Sequence, residues 1–198
     1  MRINSFFSKL LIIFGVLLLT YLYAQLQRSK YYSYNENNSN ELFLKKLPDF
    51  NSITSAGDRF VNSIDFLKNS KGVFVHIWGT WCGPCEKEMP EFLKYAVSVK
   101  GKGVKFLLVA VNDEPLKIKK FMNRFQIPDN VTVVIDQDNK VMDLFGTLKV
   151  PETFFFDFSG KHINKFVGPQ EWAQESYQTR LNVWLNSSNF TERKIETH

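Results

Sequence analysis

The chain contains two cysteines, and they lie three residues apart in Trp81-Cys82-Gly83-Pro84-Cys85. Residues at this spacing share one face of a helical turn. Their sulfurs can then meet as a disulfide without a large movement of the backbone. If a helix opens here, Cys82 stands at its amino terminus, where unpaired N–H groups and aligned peptide dipoles favour negative charge. A thiolate is stabilised in that position, and the thiolate is the attacking species of disulfide exchange. Cys85, one turn further in, is then the more buried sulfur that resolves a mixed disulfide. Pro84 suits a first helical turn, where its missing N–H costs nothing. Two other uses of such a pair are weaker. A structural bridge across so short a loop restrains the unfolded chain little. Two thiols make only half of a structural zinc set, so no metal is assigned to them.

This chemistry needs a strand that ends, and a helix that begins, at the cysteines. Lys71 to Gly79 reads KGVFVHIWG, a β-branched and aromatic run bounded by glycine, as a buried strand would be. A helix is expected from about Pro84 to Lys100, stopped by Gly101 and Gly103. Val104 to Val111 is almost wholly apolar and reads as a strand covered on both faces. Pro115 opens a helix to about Phe125, Val131 to Ile135 is a strand, and Asn139 to Phe145 is a short helix closed by Gly146. Thr153 to Phe158 and Lys161 to Val167, joined at Ser159-Gly160, form a hairpin. A closing helix from Gln170 to Leu185 carries Trp172, Tyr177, Leu181 and Trp184 at helical spacing, as core residues. Alternating strands and helices with a terminal hairpin predict an α/β sandwich around a mixed central sheet.

With 198 residues there is room for one ordinary domain plus extensions, and a hydrophobic fraction of 44% supplies a core. A net charge of +5, spread through helical stretches with acidic neighbours, gives no dense basic run, so nucleic-acid binding is not expected. The organisation is read as a membrane anchor or signal over 1–28, a tether over 29–46, the globular domain over 47–187 and a flexible tail over 188–198. Leu10 to Ala24 is free of charge and lies between Arg2 and Lys9 on one side and Arg28 and Lys30 on the other. Counted from Phe6 to Leu26, with Lys9 snorkelling, it reaches about 31 Å as a helix, enough for a hydrocarbon core of roughly 30 Å. An uncleaved single-pass anchor is preferred to a cleaved signal because an A-x-A-like site is missing. Both readings export the domain. The location expected for an uncleaved chain is the inner membrane, with the domain on the periplasmic, extracytoplasmic side. Ser29 to Asn40 lacks aliphatic residues and reads as a tether.

The run Trp78-Gly79-Thr80-Trp81-Cys82-Gly83-Pro84-Cys85, followed by Glu86-Lys87-Glu88-Met89-Pro90, resembles the thioredoxin superfamily. More narrowly it resembles the TlpA/ResA-type exported thiol–disulfide oxidoreductases, which include the cytochrome c maturation thioredoxins. The similarity extends from Leu47-Pro48-Asp49-Phe50 through Val150-Pro151-Glu152-Thr153-Phe154 to the last helix. It implies a thioredoxin-like fold and reduction of protein disulfides without a cofactor. It implies a substrate such as apocytochrome c and re-reduction by a membrane electron transporter. It also implies a cis bond between Val150 and Pro151 facing the cysteines, with a substrate surface made of Trp81, Gly83, Pro84, Val150 and Pro151. A cis bend there would offer Val150 backbone groups to an extended substrate strand.

Glu88 lies one turn beyond Cys85 on the same helix face. In this branch an acid at that place sits by the active site and affects the thiols. A carboxylate there can take a proton from Cys85 and opposes thiolate formation. The bland alternative is a solvated glutamate. His76 departs from the pattern, since cytosolic thioredoxins carry Asp and the TlpA/ResA branch usually Asn at this place. On the strand it shares a face with Phe74 and Trp78. It is read first as a satisfied core imidazole and second as a proton relay beneath Cys85. Two rival functions stand beside the oxidoreductase: a thioredoxin-like copper chaperone, in which His76 or His162 would have to reach the thiols, and an interaction module that keeps only the fold.

Overall fold

In the computed structural model, the described residues are 12–25, 44–136 and 140–195, with side chains to 186. The chain divides into two units, Met1–Phe43 and Leu44–His198.

Within the first unit a helix, α1, covers 12–25. Its fourteen residues span about 21 Å at 1.5 Å each. Among the described residues no helix is long and apolar enough to cross a membrane. The expected span was longer; its flanks, 6–11 and 26, lie outside the described residues, as does the tether over 29–43.

The second unit carries β1 (Asn51–Thr54), β2 (Phe60–Asn62), α2 (Ser63–Leu67), β3 (Gly72–Trp78), α3 (Gly83–Ser98), β4 (Val104–Ala110), α4 (Pro115–Met122), β5 (Val131–Ile135), α5 (Val141–Phe145), β6 (Glu152–Asp157), β7 (His162–Val167) and α6 (Glu175–Ile195). The strands form one sheet in the order β2-β1-β5-β4-β3-β6-β7. β3, β4 and β5 run parallel, and the other neighbours are antiparallel. The α/β sandwich with a mixed sheet expected from the strand and helix order is therefore present, in keeping with the fold that the resemblance implied.

β3 is buried along its whole length because helices cover both faces of the sheet. Phe74, His76 and Trp78 point to one side and Val73, Val75 and Ile77 to the other. The first side packs on Met89 and Phe92 of α3 and on Tyr177 and Leu181 of α6. The second packs on Leu67 of α2 and Phe145 of α5. The abundant phenylalanines become aromatic packing: Phe74 stacks on Phe106 at 4.9 Å between centroids, and Phe92 meets Trp172 edge-on at 4.9 Å.

The helix from Pro115 ends at Met122 rather than Phe125, and the closing helix differs from the expectation at both ends. The closing helix starts at Glu175, so Trp172 sits in the turn before it. Its backbone then stays helical to Ile195, through most of the expected tail. Within the domain, β1, β2 and α2 were not anticipated. Asn51–Thr54 and Phe60–Asn62 are short and half polar, without a run long enough to show period.

Gly72 opens β3 opposite Asp157 of β6. A Cβ there would lie 2.7 Å from the Phe155 ring and 2.8 Å from the Phe156 carbonyl oxygen. The backbone oxygen cannot turn away. Gly72→Ala is therefore expected to lower unfolding free energy by about 1–3 kcal/mol, the usual cost of overpacking. A urea titration checks this, and an unchanged midpoint would contradict the packing described.

Candidate functional site

β3 ends at Trp78, and Gly79-Thr80-Trp81 carries the chain to Cys82, the N-cap of α3. Cys82 is extended, with φ −94° and ψ 103°, and its sulfur accepts the Cys85 N–H at 3.2 Å. The helix thus aims one of its otherwise unpaired donors at the first sulfur. Cys82 and Cys85 form a disulfide with Cα atoms 5.3 Å apart. Cys85 is fully buried, whereas Cys82 keeps 6% of its surface. Pro84 lies in the first turn, as expected, and both Gly83 and Pro84 are exposed.

The loop is tied to the segment after β4. Trp81, 56% exposed, donates its indole Nε1–H to the Val111 carbonyl at 3.1 Å. The indole folds over Gly79, where a Cβ would fall 2.5 Å from Nε1. The Thr80 N–H and hydroxyl both donate to the Asp113 carboxylate. Between these anchors Asn112 takes φ +49°, a left-handed conformation that asparagine tolerates. Asp113 was not picked out from sequence, because nothing local shows which loop lies beside the cysteines.

Val150–Pro151 is a cis peptide bond. The Val150 carbonyl oxygen lies 3.7 Å from Cys82 Sγ. Trp81, Cys82, Gly83, Pro84, Cys85, Val150 and Pro151 are thus brought to one end of the sheet. Around them Leu148 is 93% exposed, next to exposed Lys149.

Glu88 is buried rather than solvated. Its Oε2 accepts the Gln170 N–H at 2.8 Å and the Trp172 indole N–H at 3.4 Å. Burial raises its pKa to about 7, against the lowering effect of those two hydrogen bonds. The other oxygen, Oε1, lies 3.5 Å from His76 Nε2. The His76 Nδ1 meets the Thr153 hydroxyl at 2.8 Å, directly across the β3–β6 ladder. Burial drives the His76 pKa down to about 3, so the ring is neutral and its contact with Glu88 is not an ion pair. The core-imidazole reading of His76 is accurate for Nδ1 and incomplete for Nε2. Gln170, Trp172 and Thr153 complete this polar group. Trp172 was legible only as an aromatic core residue.

His162 packs against Phe154 and Phe156, on the sheet face away from the cysteines. Among the described residues no cluster of three or more His, Cys, Asp or Glu side chains is placed to hold a metal ion. His198 lies outside the described residues.

The Redoxin family model matches residues 45–181. The chain is similar to thiol-disulfide oxidoreductase ResA of Bacillus cereus, 29% identical over 171 residues, covering 86% of this chain and 96% of that one. It is 35% identical to ResA of Bacillus subtilis over 98 residues, which are 50% of this chain and 54% of that protein. Among solved structures, one described as a thiol:disulfide interchange protein DsbE of Chlorobium tepidum superposes with a TM-score of 0.61 at 26% identity, covering 71% of this chain and 96% of that one. A family match over most of the globular unit, the sheet order and the paired cysteines at the start of α3 agree with one another. The chain belongs to the Redoxin family, as a ResA/TlpA-like member of the thioredoxin superfamily.

Proposed function

We propose that this thiol–disulfide oxidoreductase reduces protein disulfides outside the cytoplasm while anchored by its N-terminal helix. The observation that carries the reading is the asymmetry of the two sulfurs. Cys82 caps α3, accepts the Cys85 N–H and touches the Val150 carbonyl, while Cys85 is buried.

In the reduced protein Cys82 attacks as the thiolate. Its sulfur bonds to one substrate sulfur, the substrate S–S bond breaks, and the other substrate sulfur leaves as a thiolate that takes a proton from water. Cys85 then gives its proton to the Glu88 carboxylate, one turn along the same helix face, and attacks Cys82 Sγ. The second substrate sulfur departs, the Cys82–Cys85 disulfide forms, and two electrons have passed to the substrate. Val150 and Pro151 receive the substrate as an added strand, with backbone groups that accept many sequences. Trp81, Gly83 and Pro84 are the exposed contacts beside the sulfur.

Apocytochrome c, whose haem-attachment thiols must be reduced, fits as substrate, and a membrane dithiol carrier fits as the source of electrons. The relatives named ResA support the oxidoreductase branch. The uncharged run around α1 and the polar segment after it support a membrane anchor, and the resemblance to exported ResA-type proteins supports an inner-membrane position with a periplasmic domain.

The test is Cys85→Ser expressed in the native envelope. It keeps the attacking sulfur and loses the resolving one, so it is expected to accumulate covalent complexes with substrate proteins that dithiothreitol releases. Recovery of no covalent partner would contradict the division of labour between the two sulfurs.

A further inference from the structure

Two buried polar atoms, Glu88 Oε1 and His76 Nε2, face each other with no other partner among the described residues. Their 3.5 Å separation is half an ångström or so beyond an ordinary hydrogen bond. Glu88 Oε2 is already committed as an acceptor to Gln170 and Trp172. When Glu88 is neutral its proton therefore belongs on Oε1, aimed at His76. When Glu88 is ionised Oε1 needs a donor, and among the described residues the nitrogen facing it is His76 Nε2. The imidazole can serve both needs, because its other nitrogen meets a hydroxyl. Thr153 Oγ1 can accept from Nδ1–H or donate to a bare Nδ1.

We propose that His76 is a positioning residue that changes tautomer with the charge on Glu88. With Glu88 neutral, Oε1–H donates to Nε2, and Nδ1–H donates to Thr153. With Glu88 ionised, Nε2–H donates to Oε1, and the Thr153 hydroxyl turns to donate to Nδ1. One proton leaves to solvent water between the two states. The charge appears on Glu88 alone, and His76 is neutral in both. A buried acid beside a resolving thiol can then exist in either form without leaving a polar atom unpaired, which otherwise costs about 1–3 kcal/mol per group.

The groups around the pair leave this room. From α3 it is faced by Phe92, which packs on the imidazole at 4.5 Å, and by Cys85 one turn away. From β6 it is faced by Thr153, and from the turn before α6 by the Gln170 N–H and the Trp172 indole. Tyr177 of α6 lies near Glu88, and burial pushes its own pKa up, so it stays neutral. No lysine or arginine is hydrogen-bonded to or paired with Glu88 or His76 among the described residues. The inference deepens the proposed function and relies on it only for the use made of the Glu88 proton.

The test is nitrogen NMR of the full chain, labelled in histidine and held in detergent with the disulfide intact, between pH 5 and pH 9. His76→Asn identifies the resonances, because the chain has three histidines. The expected result is an exchange of protonated and bare positions between Nδ1 and Nε2, following the Glu88 titration and absent in Glu88→Gln. Thr153→Ser should keep the exchange, and Thr153→Val should suppress it. One tautomer throughout, a doubly protonated ring, or the same exchange in Glu88→Gln would overturn the proposal. No thiol takes part in this measurement. A protein that shows the exchange but fails to reduce insulin would sink the proposed function and leave this inference standing.

Discussion

Replacing Cys82 with Ser is expected to abolish catalysed disulfide reduction, with insulin turnover falling on the order of a thousandfold or more, as when other enzymes lose their nucleophile. Two physical losses add. A serine hydroxyl is not ionised near neutral pH, so the Cys85 N–H aimed at that position no longer stabilises an attacking anion. An oxygen also cannot form the mixed disulfide, so the buried Cys85 has no bond to attack. The fold should survive, because serine is close to cysteine in size and is a good N-cap. Near-normal turnover in a folded Cys82→Ser protein would show that Cys85 can act alone. Its complete burial argues against that.

The second large effect concerns stability against pH, and single substitutions should reveal what the intact pair hides. Glu88 is raised from 4.5 to about 7 on folding, so the native state holds a proton that the unfolded chain has already released. That contribution is complete below pH 4.5 and is lost as pH rises towards 7. His76 is lowered from 6.5 to about 3, so the unfolded chain binds a proton that the native state refuses. That contribution is complete above pH 6.5 and is lost as pH falls towards 3. Between pH 4.5 and 6.5 the two slopes oppose, and the pair holds one proton in either state. The native protein should therefore show little pH dependence from this site there. Glu88→Gln should uncover the histidine, with stability falling as pH drops, by up to about 1.4 kcal/mol per pH unit. His76→Asn should uncover the glutamate, with stability falling as pH rises, at up to about the same rate. Urea midpoints at pH 4.5, 5.5 and 6.5 decide this. Parallel profiles for all three proteins would contradict the burial and neutrality assigned to the pair.

Some of this arrangement was legible in the residues and some was not, for reasons that differ by element. The strand before the cysteines declared itself because Val73 to Trp78 is buried on both faces, so its apolar run is unbroken. The helix start declared itself through Pro84, and the turn at Ser159-Gly160 marked the hairpin. β1 and β2 gave no signal because four or three half-polar residues repeat the two-residue alternation too few times to stand out. The bend at Val150–Pro151 was reached through resemblance, since a proline alone does not specify its isomer. The depth of Glu88 was hidden for another reason. Its helix face follows from its distance to Cys85, but its burial depends on the Gly168–Trp172 segment folding back over it, a contact between residues 82 positions apart in its closest bond. Thr153 and His76 likewise meet only through the β3–β6 register, and Asp113 reaches Thr80 only through the turn at Asn112. Local patterns reveal elements; they do not reveal which polar atoms two distant elements will share.

Disulfide reduction by this protein requires Cys82 to be the ionised, reachable sulfur of the reduced chain. The most direct measurement is the rate of alkylation of each cysteine by iodoacetamide as a function of pH, read by mass spectrometry of the fully reduced chain. Cys82 should react first, with a midpoint below the ordinary thiol value of about 8.5, while Cys85 stays protected in the folded protein. A Cys82 midpoint at or above that value, or alkylation of Cys85 ahead of Cys82, would contradict the account.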